Sequence, residues 1–395
     1  MNTTARAFAD KLYEDCSRYA QDIYPGVYTK ERCNELGEMW AEMKPIITAE
    51  GITLLSHYYP GPENHEAAHF IGDSLALSNF AKTARAKRVQ FMAVRFMADT
   101  AKIITGNNTR VFVSGSSQEL GCSLVFGTDH AAIQSWKRNN PKGTIVSYIN
   151  SDVFLKSMSD YISTSRNTDK IIAKAIKENP GQPILITPDK YLGDVMKIRA
   201  LELLEQEGIV IDEDLIQVYR NKFNGFDACC IVHVQFGPDA IERAREMYPN
   251  AILLVHPECG CSAQCIYKMK RREIPEGEAL ILSTEQMIKI AQESAIKEFV
   301  VATEPGHLVA LRKAVPDKIF YPLSATAHCP YMKANSFEKL LHSLKNNVIE
   351  IIICEDDCQE CIDPRHPYED ARIAHIPHRL AELAKQGIDR MLAIQ

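Results

Sequence analysis

Three long segments of the chain repeat one order of parts, and that repetition restricts the possible folds more than any figure of composition. The first segment begins "TLLSHYY", runs through "IGDSLALSNFAKTA" and "VQFMAVRFMADTA", and closes on "VFVSGSSQELGCSL". The second begins "TIVSYIN", runs through "YISTSRNTDKII" and "ILITPDKYLGD", and closes on "GFDACCIVH". The third begins "ILLVHPEC", runs through "LILSTEQMIKIA" and "FVVATEPGHLVAL", and closes on "IFYPLSATAHCPYM". Short apolar runs that alternate with helical stretches are the pattern of parallel strands joined by crossover helices. The threefold reading therefore expects an α/β protein made of repeated units. The competing reading is one ordinary α/β domain with coincidental turns.

Open parallel sheets bind their ligands beyond the carboxyl ends of the strands. The first strand of each segment ends on side chains suited to a site: His57 and Tyr59, Tyr148 and Asn150, His256 and Glu258. The second part of each segment is a hydroxyl cluster that opens a helix: Asp73 and Ser74, Thr164 and Ser165, Ser283 and Thr284. Taken singly these are ordinary N-caps, and Ser283 with Gln286 fits a capping box. Three helix N-termini around one pseudo-threefold axis would also present N–H donors to a phosphate or a carboxylate, and the two roles are physically compatible.

The last part of each segment supplies one cysteine: Cys122, Cys230 and Cys329, about a hundred residues apart. A buried apolar cysteine is the ordinary reading of any one of them. At equivalent repeat positions they would instead converge as a thiolate triangle. Iron–sulfur clusters are normally held by four thiolates, so three would leave one iron open to act as a Lewis acid. Zinc held by three cysteines and a water is the rival.

At 395 residues and 46% hydrophobic, the chain can build two or three compact cores. A net charge of -6 without any Lys/Arg-rich run makes nucleic acid an unexpected partner. The first residues mix charge signs and lack the features of a signal or transit peptide, and no stretch approaches the roughly 18 apolar residues that span a bilayer. A cytoplasmic protein with no membrane partner is expected. Twelve cysteines spread along such a chain favour metal or catalytic thiols over disulfides. Residues 1 to 48 are helical by pattern, with apolar positions at Phe8, Leu12, Tyr19 and Met39, and are expected to cover a domain face.

The ordered motifs "HYY", "GDSLALS", "VRFMADTAKI", "GCSL", "SYIN", "TSRN", "PDKYLG", "CIVH", "HPEC", "VATEPG" and "CPYMK" resemble those of the quinolinate synthase family from about residue 51 to 342. The tail "IPHRLAELAKQGIDRMLA" looks like that family's last helix. The resemblance implies three homologous αβα domains with parallel sheets around a pseudo-threefold axis, plus an N-terminal helical extension. The implied divisions are 1–48 for the extension, 49–140, 141–232 and 233–342 for the repeats, and 343–395 for a C-terminal insert and helix.

The implied activity condenses iminoaspartate with dihydroxyacetone phosphate to quinolinate for NAD biosynthesis, with loss of phosphate and two waters. The implied cofactor is a [4Fe-4S] cluster on Cys122, Cys230 and Cys329. Carried over by position, Tyr59, His233, His256 and Glu258 take catalytic roles, while His57, Ser74, Tyr148, Asn150, Ser165, Ser283 and Thr284 bind substrate. An aspartate-oxidising enzyme is the implied upstream partner. The chemistry suits these types, since moving protons along a triose chain asks for acids and bases near neutrality. On this reading "VHPEC" stops where it does to aim His256 and Glu258, as an acid–base pair, at the substrate.

Four departures qualify the likeness. Pro60 stands where the family usually has Gln after "HYY", and proline cannot replace an amide's hydrogen bonds. Arg166 replaces a serine of "TSSN" and either binds phosphate or points to solvent. Thr326 removes a Cys-x-x-Cys pair found in some relatives, so no redox switching by that pair is expected. Extra sequence lies at 260 to 280 and at 354 to 375. In the latter, Cys354, Cys358 and Cys361 have a spacing that could hold a second cluster or a metal, although Glu355, Asp356, Asp357 and Glu360 would repel an anionic thiolate cluster. A charged lid or an interface loop is the alternative there, and Cys259, Cys261 and Cys265 stay unassigned. Two other functions remain open: a paralogue using the same open cluster on another phosphorylated triose or dicarboxylate, and a non-catalytic iron–sulfur sensor.

Overall fold

The computed structural model describes every residue except 85, 356, 357, 359–368 and 395, together with the side chain of Pro238. Its strands follow the repeat. In the first segment β1 (Ile52–His57), β2 (Phe70–Gly72), β3 (Arg88–Met92) and β4 (Arg110–Val113) lie in the order β4-β3-β1-β2, all parallel. In the second, β5 (Thr144–Tyr148), β6 (Tyr161–Ser163), β7 (Ile184–Thr187) and β8 (Ile216–Val218) take the same relative order, β8-β7-β5-β6. In the third, β9 (Ile252–Val255) pairs in parallel with β10 (Ala279–Ile281), and β11 (Glu298–Ala302) with β12 (Ile319–Pro322). The protein is thus a mixed α/β chain with repeated αβα organisation.

The strand sequences explain this arrangement. β3, β5 and β7 are buried at every position. Strands buried along their whole length need cover on both faces, which crossover helices supply. The helix Thr168–Glu178 between β6 and β7 shows the matching stripe: Ile171, Ile172, Ala175 and Ile176 are buried while Lys170, Lys177 and Glu178 face out.

The chain divides into two compact units, Met1–Gly121 with Ile288–Pro377, and Cys122–Met287 with His378–Gln395. In the first unit, the N-terminal helices Thr3–Tyr19 and Lys30–Glu50 are capped by Asn2 and Thr29, and the second stops at Gly51, whose φ of 59° suits a left-handed C-terminal position. They share a core of Phe8, Leu12, Leu36, Trp40 and Met43, with the Phe8 and Trp40 rings 5.2 Å apart. The expectation of N-terminal helices agrees with this packing.

The C-terminal insert also joins the first unit. β13 (Glu350–Ile353) pairs antiparallel with β4, and β14 (Ile373–Ile376) pairs parallel with β13. Both ends of the insert are therefore extra strands on the sheet of the first repeat. In the second unit, the helix His378–Leu392 is tied down by Asn167 Nδ2, which donates to Ile394 O at 2.8 Å, and by Arg390 Nη1, which donates to Asp160 O at 2.6 Å. Among the described residues no helix is long and apolar enough to cross a membrane.

Candidate active site

Each unit carries a polar cluster at its strand ends. In the second unit, β5 delivers Tyr148 and Asn150, and β9 delivers His256 and Glu258, as the sequence predicts. Glu258 is 2% exposed, yet four side chains serve its carboxylate. His233 Nδ1 lies 2.7 Å from Oε2, Asn150 Nδ2 donates to Oε1 at 3.1 Å, the Tyr148 hydroxyl adds a hydrogen bond, and His256 Nδ1 stands 3.7 Å away. The rings of His233 and His256 stack 4.5 Å apart. His233, rather than His256, is the tighter partner, because the short helix His233–Gln235 turns its ring onto Glu258, while His256 accepts the Glu258 backbone N–H on Nδ1 at 3.4 Å.

One of these contacts assigns the tautomer of His256. His256 accepts at Nδ1 and carries its proton on Nε2. Burial, reinforced by the His233 charge, brings the His256 pKa down to about 3, so this ring is neutral near pH 7. Burial works against the Glu258 charge, but the His233 charge and hydrogen bond hold its carboxyl below the usual carboxylate range.

Asp189 completes the cluster. Fully buried at the start of the helix Lys190–Gln206, it accepts from Tyr191 N, Leu192 N and Cys230 N. Burial and the nearby Glu258 charge push its pKa well above the ordinary value. One unit thus holds a carboxylate kept ionised, a carboxyl pushed toward its protonated form, and two stacked imidazoles, of which His256 is a neutral donor. Two carboxyl groups driven apart in this way are the pattern of acid and base roles divided by environment.

In the first unit, β1 ends on His57 and Tyr59, whose rings meet edge-on at 4.4 Å. The Tyr59 hydroxyl is 2.8 Å from Thr303 Oγ1, just after β11. The next residue, Glu304, is fully buried; its Oε1 lies 2.9 Å from both Lys333 Nζ and His328 Nδ1, and Oε2 accepts from Gly306 N at 2.7 Å. Lys333 Nζ also donates to the Tyr24 hydroxyl at 2.6 Å and to Tyr59 O. Burial opposes both charges, yet Lys333 lowers the Glu304 pKa and Glu304 raises that of Lys333. Tyr24 comes from the turn between the two N-terminal helices, so that extension contributes a side chain to this cluster besides covering a face. Pro60 is buried beside Tyr59.

The hydroxyl clusters act as caps. Asp73 accepts from Ala76 N at 2.8 Å where the helix Ser74–Thr83 begins. Ser283 and Gln286 form the expected capping box, with Ser283 N donating to Gln286 Oε1 at 2.9 Å and Gln286 N to Ser283 Oγ at 3.3 Å; Thr284 follows as the first residue of the helix Thr284–Glu293. In "TSRN" the helix starts three residues late, at Thr168, because Asn167 Oδ1 accepts from Thr164 N and Oγ1 and holds the turn. Ser165 is buried in that turn and Arg166 is exposed.

The cysteines separate by environment. Cys122, Cys230 and Cys329 are partly exposed, and each carbonyl accepts the N–H four residues on, from Phe126, Val234 and Lys333 respectively. Cys16, Cys33, Cys229, Cys259, Cys261, Cys265 and Cys354 are buried. Burial raises the Cys329 thiol to about 11, against which the N–H groups of Met332 and Tyr331 pull. Donor atoms of Cys230, His233 and Glu258 all lie within 4.8 Å of one another. Cys261 hydrogen-bonds to Cys259 and to Cys265; the Cys259 contact pushes the Cys261 thiol up against the pull of Cys265, the Cys261 contact pushes Cys265 up, and burial adds to both. Cys358 is described and partly exposed, whereas Cys361 lies outside the described residues.

Asp189, Thr303, Glu304, His328, Lys333 and Tyr24 are not singled out by the sequence. Asp189, Thr303, Glu304 and Lys333 nevertheless stand inside motifs quoted for the family, "PDKYLG", "VATEPG" and "CPYMK". Tyr24 has no such signal.

Comparison with known proteins agrees with the geometry. The family model described as Quinolinate synthetase A protein matches residues 41–365. The chain is 34% identical over 303 residues to the quinolinate synthase of Pyrobaculum aerophilum, covering 77% of this chain and 90% of that one. It is 30% identical over 341 residues to a quinolinate synthase of Thermus thermophilus, covering 86% and 92%. Against that of Nostoc punctiforme the figures are 34% over 331 residues, 82% and 91%. With repeated αβα units, ordered strand-end clusters and this breadth of likeness, the chain belongs to the quinolinate synthase family.

Proposed function

We propose that the protein condenses iminoaspartate with dihydroxyacetone phosphate, releasing quinolinate, inorganic phosphate and two waters, in a route to NAD. Cys122, Cys230 and Cys329 would hold a [4Fe-4S] cluster. Their partial exposure, against the burial of most other cysteines, and their shared backbone pattern suit three equivalent thiolate ligands. When bound, such a cluster supplies Lewis-acid polarisation at the iron that lacks a cysteine.

The observation that carries the catalytic reading is the cluster around Glu258. Glu258 orients His233 through Nδ1, and in its neutral form that ring takes a proton at Nε2 from a substrate carbon or hydroxyl. Neutral His256 offers Nε2–H to an oxygen on which negative charge develops. The raised pKa of Asp189 suits a proton reservoir behind Cys230 and Glu258. In the other unit, Tyr59 presents a phenol held by Thr303, with His57 at its edge, for proton transfer or for contact with a substrate oxygen. Ser74, Ser165, Ser283 and Thr284, at helix beginnings, suit phosphate and carboxylate oxygens, and Tyr148 and Asn150 complete the substrate contacts. The repeat divisions 49–140, 141–232 and 233–342 belong to the same proposal.

Quinolinate measured by mass spectrometry tests this reading, using anaerobically reconstituted protein given dihydroxyacetone phosphate and iminoaspartate made in situ. Product is the expected result. Iron-loaded protein that forms none would move the assignment to another phosphorylated triose or dicarboxylate, with buried Pro60 the first place to look.

A further inference from the structure

The C-terminal insert brings together a second set of soft donors that the proposed reaction does not use. β13 ends at Ile353, and the ladder continues one residue further, Cys354 N donating to Ile376 O at 3.0 Å. In the same ladder Ile352 stands opposite His375. Cys354 and His375 are thus set by strand register, where backbone pairing leaves ligand atoms little freedom. Cys358 returns to this pair, its Sγ 3.2 Å from His375 Nδ1. One donor atom from each of Cys354, Cys358 and His375 lies within 4.8 Å of the other two.

We propose that Cys354, Cys358 and His375 form a structural site for one divalent ion of the zinc class. Two thiolates and one imidazole are soft to borderline donors that favour zinc over the hard ions that oxygen ligands select. An iron–sulfur cluster is the poorer occupant, since the described donors number two thiols and clusters are normally held by four. The surrounding sequence points the same way: Glu355, Asp356, Asp357 and Glu360 repel an anionic cluster but favour a cation.

The ion has a mechanical role here. It joins the end of β13 to the last residues of β14 and so closes the base of the insert. A second tie holds the returning chain, where Glu369 accepts from Ser117 N at 2.7 Å and pairs with Arg95. None of the three ligands belongs to the proposed cluster set, so the two metals can be lost independently.

Metal analysis of full-length, anaerobically reconstituted protein tests the proposal, with zinc supplied before desalting. About one zinc per chain is expected beside the iron. Cys358→Ser and His375→Gln should each lose that zinc while keeping the iron and the far-ultraviolet circular dichroism of the parent. Cobalt(II) put in place of zinc should give thiolate charge-transfer absorption that weakens in Cys358→Ser. Hydrogen exchange over β13 and β14 should rise on zinc removal. Absence of zinc from the parent protein, zinc retained by both variants, or iron lost in its place would each overturn the assignment.

Discussion

Glu304 and Glu258 are both buried carboxylates just past the end of a repeat strand, and their surroundings differ in kind. Around Glu304 the decisive neighbour is Lys333, whose charge is locked in by the carboxylate and does not titrate near neutrality. Around Glu258 the neighbours are two imidazoles, an amide and a phenol, with Asp189 pushed up nearby. A fixed ion pair positions, because neither partner can change charge without stranding the other. A ring of imidazoles and coupled carboxyl groups can exchange protons. Under the proposed function the first cluster would support Tyr59, and the second would be the seat of proton transfer.

The most drastic way to break the comparison removes a proposed iron ligand beside the second cluster. Cys230→Ala should lose the iron of the reconstituted protein and quinolinate formation with it; a full iron complement would mean that the ligand assignment is wrong. Next comes Glu258→Gln, which keeps the shape but frees His233 from its carboxylate. Turnover should fall by about 10²–10⁴-fold with iron retained, and a variant as fast as the parent would remove Glu258 from the proton path.

The supporting role of the first cluster is sharpened by Lys333→Met. With Glu304 buried and its main counter-charge gone, unfolding in urea should show a loss of about 3–5 kcal/mol. A loss within experimental scatter would mean that the pair does not stabilise the fold. The smallest effect is the pH slope. His256 and His65 have folded pKa values brought down by burial from 6.5 to about 3 and about 4. Below 6.5 the unfolded chain binds protons at these rings that the folded chain refuses, so stability falls as pH drops, by up to roughly 1.4 kcal/mol per unit for each group. Urea midpoints from pH 7 to 4.5 should show it, and His65→Gln should make the slope shallower; an unchanged slope would place the acid sensitivity elsewhere.

Much of this was legible in the chain itself. The alternation of apolar runs and helical stretches disclosed the strands, because β3, β5 and β7 are buried at every position, as strands are when helices cover both faces. The strand ends were readable too, since polar groups that close an apolar run stand out. The capping box at Ser283 and Gln286 was readable because it depends on a spacing of three residues and nothing distant.

What local pattern could not disclose were pairs far apart in sequence. Glu304 gains meaning only from Lys333 and Tyr24, and Asp189 only from Cys230 and Glu258. His375, in an unremarkable strand, becomes a donor only because its register sets it beside Cys354 and Cys358. The tighter bond of His233 to Glu258 likewise followed from the direction of a short helix and not from spacing.

The sequence alone thus determined the repeated α/β plan and the family, and marked the candidate site positions, because periodicity and motif order are local and survive without coordinates. Only the tertiary structure decided which charges are paired, which carboxyl groups are buried together and which cysteines share a neighbour. Those properties are set by distances of a few ångströms and by burial, and neither exists until the chain has folded.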